Sequence, residues 1–148
     1  MNRKTARGPA RPPFELIEHP ADVGIRVYGR GLAALFTHAA LGLCSLVTDT
    51  DTVLERETRS VEVAAPDRES LLVAWLSEVL WLIEAEDLLF ARFTIESLSD
   101  TGLAATAYGE PADPQRHPYR GVIKAVTYHQ LQLRQQAGTW STNIIFDV

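Results

Sequence analysis

"FELIEHPADVGIRVYGRGLAALFTHAALGLCSLV", residues 14–47, changes its hydrophobic period within a few residues, and that change decides the fold class. Around the turn Glu18-His19-Pro20-Ala21-Asp22, "FELIE" and "VGIRVYG" read as strands. In the second, Val23, Ile25 and Val27 alternate with Gly24, Arg26 and Tyr28, the period of a half-buried strand. From Gly31 the period lengthens: Leu32, Leu35, Phe36, Ala39, Leu43, Leu46 and Val47 follow helical spacing to about residue 47. Strand, turn, strand and helix are thus expected in one short stretch. The turn itself is crowded with ionisable side chains, which raises the question of whether His19 and Asp22 hold something.

Downstream, "TDTDT" (48–52) reads as a loop carrying Asp49 and Asp51, and "VLERETRSVEVAA" (53–65) as a strand by its alternation at Val61 and Val63. Pro66 and Asp67 introduce a second helix, Asp67 being a good N-cap because its short carboxylate reaches the first unsatisfied N–H groups. Its stripe is Leu72, Trp75, Leu76, Val79, Leu80 and Ile83, widened by Leu71 and Leu82. A helix apolar around so much of its circumference is expected to pack deeply against a sheet. From Leu88 onward the pattern is β throughout: "LFARFTIESL", "GLAATAYGE", "YRGVIKAVTYH", "LQLRQQ" and "GTWSTNIIFDV", with breaks at Asp100-Thr101-Gly102 and Ala137-Gly138. "GEPADPQRHP" (109–118) is expected to be an ordered loop. The order predicts an α+β domain, a mostly antiparallel sheet packed against two main helices.

The chain has 148 residues, 46% hydrophobic and 22% charged, enough for one domain with a core. No apolar run reaches the roughly 18 residues of a membrane span, and no signal-like start is present, so a cytoplasmic protein is expected. One cysteine, Cys44, excludes an internal disulfide; it lies near the apolar stripe of the first helix, where a buried hydrophobe is favoured over a nucleophile. Residues 1–13, "MNRKTARGPARPP", are read as a disordered basic tail ahead of a domain over 14–148. With four of the 14 basic residues in the tail, the body holds 10 basic against 19 acidic residues, a net charge of −9. Such a body is a poor match for a phosphate backbone, so direct nucleic-acid binding is not expected; cations or a basic protein partner suit it.

Three chemistries compete. "YGRGLAA" (28–34) has the G-x-G-x-x-A form of a dinucleotide site, but that site needs βαβ units and a parallel sheet, which the second half of the chain does not resemble. The four histidines and Cys44 show no zinc spacing. Carboxylates make the better case. Alternation in the last strand puts Asp147 beside the C-terminal carboxylate of Val148, and such a pair repels unless it is solvated, hydrogen-bonded or bridged by a cation. Hard cations such as Ca²⁺ take oxygens gathered from distant segments. A frayed, solvated terminus is the plain alternative, yet Ile144 and Phe146 require a core and keep the end fixed. Glu78, at the margin of the second helix's stripe, reads either as a snorkelling acid or as the partner of a cation such as Lys124.

Taken together, "EHPADVGIRVYGRGLAALFTHAALGL", "TD" at 48–49, "LLVAWLSEVLWL", "GEPADPQRH", "KAVTYHQL" and the terminal "IIFDV" resemble the archease family, in the family's order and over nearly all of the chain except the basic tail. The family's commonest opening form is H-T-A-D-h-G, with h apolar; Pro20 replaces the Thr here and leaves His19, Asp22 and Gly24 in place. The resemblance implies an accessory protein and not a free-standing enzyme. Archeases activate the RtcB-type RNA ligase of tRNA splicing and RNA repair, promoting guanylylation of a ligase histidine from GTP and so multiple turnover. It also implies a divalent cation, Ca²⁺ in the family, whose ligands map onto Asp22, Asp147 and Val148, the last through a main-chain or terminal oxygen. Glu78 and Lys124 match functional acid and base positions, and His19 and Asp49 fall as neighbours of the metal site. A general chaperone or interaction module for RNA-modifying proteins is the alternative role.

Overall fold

The computed structural model describes residues 11–17, 22–129 and 131–148. Residues 1–10 of the expected tail, and His19 with the rest of 18–21, lie outside the described residues. The elements are β1 (Phe14–Ile17), β2 (Val23–Gly29), α1 (Leu32–Val47), a short 3-10 helix (Thr50–Thr52), β3 (Glu57–Ala64), α2 (Arg68–Ala85), β4 (Leu88–Leu98), β5 (Gly102–Pro111), β6 (Ala125–Val126), β7 (Arg134–Gln136) and β8 (Thr139–Asp147). This is the α+β class expected, with its strands divided between two antiparallel sheets. The larger runs β1-β2-β8-β6, β7 also pairing with β8; the smaller is β3-β5-β4.

Each helix touches both sheets. α1 packs on β2 and β4, α2 on β3, β4 and β6. All eight apolar residues expected along α2, from Leu71 to Ile83, are buried, as are Leu35, Phe36, Ala39 and Leu43 of α1. They form one core with Ile25, Val27, Ile144 and Phe146. Trp75 is buried without waste of its polar atom, because its indole N–H donates to the Phe36 carbonyl at 2.9 Å and ties the helices together. The Asp67 cap is in place: its carboxylate accepts the Ser70 N–H at 2.8 Å.

Gly29 serves packing, and Gly31 does not. A Cβ on Gly29 would lie 2.4 Å from the Leu35 nitrogen, so this glycine lets strand and helix meet, whereas one on Gly31 would touch nothing within 4 Å. The ladders among the described residues are all antiparallel, so the βαβ frame of a dinucleotide site is absent from them. Cys44 is buried, and burial pushes its thiol up to about 12, which removes it as a nucleophile at neutral pH. No helix among the described residues is long and apolar enough to cross a membrane.

The long strand expected over 119–129 is reduced to Ala125–Val126. Gly121 at φ 146° breaks the extended run. Its backbone groups are satisfied singly: the Arg120 N–H by the Val47 carbonyl and the Lys124 N–H by the Asp147 carbonyl. β3 likewise begins at Glu57, four residues later than the alternation suggested. The β7–β8 hairpin closes at Ala137-Gly138, with φ of 51° and 79°, the two-residue turn in which both central residues are left-handed.

Candidate functional site

Terminal strand β8 lies between β2 and the short β6, and this pairing builds the corner where the sequence placed its carboxylates. Val23 pairs with Phe146 in the β2–β8 ladder. The ladder ends at this pair; Asp22 directly precedes Val23 and Asp147 directly follows Phe146, so the two acids flank the same end of the ladder. On the other side Ala125 pairs with Asp147, and the Lys124 N–H donates to the Asp147 carbonyl at 2.7 Å. The chain end is therefore hydrogen-bonded up to its penultimate residue. The driving force is just before it: Ile144, Ile145 and Phe146 are buried, and burying a side chain of this size contributes about 1.5–3 kcal/mol.

Side chains opposite one another in antiparallel strands share a face. Asp147 thus falls on the face that carries Gly24, Arg26, Ile145 and Asn143, away from the core face of Ile25, Ile144 and Phe146. Asp22 is half-buried, Asp147 is exposed, and Val148 is 41% exposed. The candidate donors are the carboxylates of Asp22 and Asp147 and an oxygen of Val148, all hard oxygens. That chemistry fits a hard divalent cation better than a structural zinc, whose sites are built mainly from Cys and His. No group of three or more His, Cys, Asp and Glu side chains that could hold a metal ion converges among the described residues.

The remaining sequence candidates fall differently. Asp49 caps its own turn: its carboxylate accepts the Asp51 N–H at 3.0 Å, starting the 3-10 helix. Lys124 enters the corner through its backbone, and its side chain is exposed. Glu78 is half-buried on α2, which packs against β6, but no ion pair within 4.0 Å joins it to Lys124 among the described residues. His19 lies outside the described residues.

A second acidic centre was not singled out in the sequence. Glu110, near the end of β5, is 1% exposed. One carboxylate oxygen takes the Arg116 guanidinium at 2.6 Å, with Arg56 3.6 Å away. The other takes the Leu54 N–H at 2.8 Å and His117 Nε2 at 2.9 Å. His117 Nδ1 accepts the Asp113 N–H at 2.8 Å, which puts the imidazole proton on Nε2, where it donates to Glu110. The Arg116 guanidinium, against the opposing cost of burial, holds the Glu110 carboxyl at about 2. The signal lay in "GEPADPQRHP", where acids, Arg116 and His117 crowd between three prolines. A charged proline loop reads as solvated until the fold buries it.

Comparison with known proteins agrees with this architecture. Residues 14–148 match the model of the archease protein family. The protein archease of Methanosarcina mazei is 38% identical over 139 residues, covering 91% of this chain and 95% of that protein. That of Sulfurisphaera tokodaii is 35% identical over 136 residues, covering 91% and 98%. Among solved structures, that of Methanobacterium thermoautotrophicum protein 1598 superimposes with a TM-score of 0.79 at 36% identity, covering 92% of this chain and 99% of that one. The crystal structure of an archease from Thermotoga maritima, named a possible chaperone, shares the fold with a TM-score of 0.62 at 19% identity, over 96% and 100% of the two chains.

Proposed function

Because the chain belongs to the archease family, we propose that it is a non-catalytic activator of an RtcB-type RNA ligase in the cytoplasm, promoting guanylylation and multiple turnover of that ligase in tRNA splicing and RNA repair. The observation that supports this most is the β2–β8 pairing, which sets Asp22 and Asp147 at the same end of one ladder. Two carboxylates brought close together repel, and a divalent cation relieves that repulsion while fixing the geometry. Ca²⁺ held by Asp22, Asp147 and Val148 supplies positive charge and order to the corner. Asp22, at the entry to β2, and Asp147, at the exit of β8, orient it. Lys124 holds the β8 end in place through its N–H. Glu78 and Lys124 supply an acid and a base to the ligase contact, with His19 and Asp49 as neighbours of the metal.

The net charge of −9 over residues 14–148 disfavours RNA as the direct partner and favours a basic protein surface. Activation then consists of tighter binding to the nucleotide-accepting conformation of the ligase than to its alternative, since equal binding to both shifts nothing. The test is multiple-turnover ligation by the cognate ligase with Asp22→Ala and Asp147→Ala. Folded variants that have lost stimulation support the reading, and folded variants that stimulate fully overturn it. A chaperone or interaction module is the second reading, favoured by the name given to the Thermotoga structure. It predicts that proteins other than the ligase dominate affinity captures.

A further inference from the structure

An open groove of about 430 Å³ runs between the C-terminal ends of both helices and the segment leading into β6. Its floor is apolar, formed by Val47, Leu80, Ile83, Leu89 and Ile123, and its polar lining includes Glu84, Asp87 and Asp113. No lysine or arginine lines it. Asp113 is committed to the Gln115 N–H and to Arg116, 3.5 Å away. Glu84 and Asp87 are exposed and make no ion pair among the described residues.

Two further features point the same way. Neither helix carries a basic residue in its last turn, so the negative end of each dipole is left to other groups to answer and, at α2, adds to the carboxylates. Arg120 answers the α1 end, donating to the Ser45 carbonyl at 3.0 Å; α2 has no such partner in its last turn. Asp87 follows the α2 cap at φ 55°, a left-handed position that glycine ordinarily fills. A side chain with a carboxylate is thereby set at the groove mouth. Tyr119 and Val122 of the lining are 78% and 54% exposed, and Trp81, outside the lining, is 52% exposed. Trp81 stands three residues before Glu84, on the same side of α2.

We infer that this groove docks a basic, apolar-anchored segment of a partner protein, an aliphatic side chain entering the floor while an arginine lies against Trp81 and Glu84. Charge complementarity selects a cationic occupant. The exposed Trp81, Tyr119 and Val122 reach past the cavity, so a covering larger than a small organic cation is required. Arginine suits the rim because it stacks on an indole while pairing with a carboxylate. The inference deepens the activator reading and rests on it only for the partner's identity. The groove adjoins the candidate metal corner, since Ile123 lines it and Lys124 follows.

The test uses the full chain and a fluorescein-labelled peptide alternating arginine and leucine, with its glutamate counterpart as control, read by fluorescence anisotropy. The basic peptide is expected to bind at least tenfold tighter than the acidic one. The double variant E84Q/D87N should weaken it about tenfold and W81A about fivefold, while E57Q/E62Q, removing the same charge from β3, should change it less than twofold. Equal losses in both double variants, or no preference between peptides, overturn the inference. So does a dimer in sedimentation that E84Q/D87N abolishes, which assigns the groove to a second copy. Tenfold tighter peptide binding after replacing Arg3, Lys4 and Arg7 by Gln overturns it too, in favour of the chain's own basic end. No ligase enters this assay, so its failure is separable from failure of the ligation test.

Discussion

Glu110 and Asp147 are both carboxylates near the end of a strand, and the fold treats them oppositely. Glu110 is buried and answered on both oxygens, by Arg116, Arg56, His117 and the Leu54 N–H. Asp147 is exposed, pairs across the ladder with Ala125, and lies at the same ladder end as another acid, Asp22. A desolvated carboxylate survives only when its partners are in place, so Glu110 anchors the loop 112–118 to β5 and to the residues before β3. The proposed cation would join the two acids at the solvent end of the β2–β8 ladder. Saturation of both oxygens marks Glu110 as a structural acid.

That contrast breaks most visibly in stability. Glu110→Ala removes one member of a buried charged network and should cost about 3–5 kcal/mol, measured by urea unfolding. The pH dependence follows from the same group. The folded-state pKa of Glu110, about 2, lies below its ordinary value, so the unfolded chain binds the proton more readily. The stability it contributes is present above the ordinary carboxylate range and is lost as pH falls from about 4.5 towards about 2. Glu110→Gln should flatten that acid limb; an unchanged limb would mean that the network is not the acid-sensitive element.

Smaller effects sharpen the other side. Saturating Ca²⁺, at 100 times its dissociation constant, should raise the unfolding free energy by about 2.7 kcal/mol through mass action. Asp67→Ala, which deletes a helix cap remote from both acidic centres, should cost about 1 kcal/mol and leave any calcium response unchanged. In chelator, Asp147→Asn should shift stability by no more than about 0.5 kcal/mol, since an exposed acid sharing a ladder end with another acid has little to lose.

Much of this architecture is legible in the sequence because its periods are clean. The alternation of Val23, Ile25 and Val27 and the stripe from Leu71 to Ile83 each demand one buried face, and tertiary packing honours both. Segment 119–129 misleads for a physical reason. Val122, Ile123 and Val126 have strand propensity, but Gly121 turns the chain, and the backbone groups find partners on α1 and β8 in place of one continuous ladder. Periodicity also carries no partner information, so the meeting of β2 with β8, which sets Asp22 and Asp147 at one ladder end, could be suspected only from the two acidic ends and the family resemblance. Glu110 stayed hidden because its partners come from residues 54, 56, 116 and 117, and only folding brings them to one point.

The central claim is that the Asp22–Asp147 corner holds a cation, and calorimetric titration of the full chain with Ca²⁺ tests it most directly. The account predicts one site per chain in the wild type and loss of its binding heat in Asp147→Asn that still unfolds cooperatively in chelator. A wild type that takes up no calcium, or an Asp147→Asn that binds as the wild type does, would contradict it.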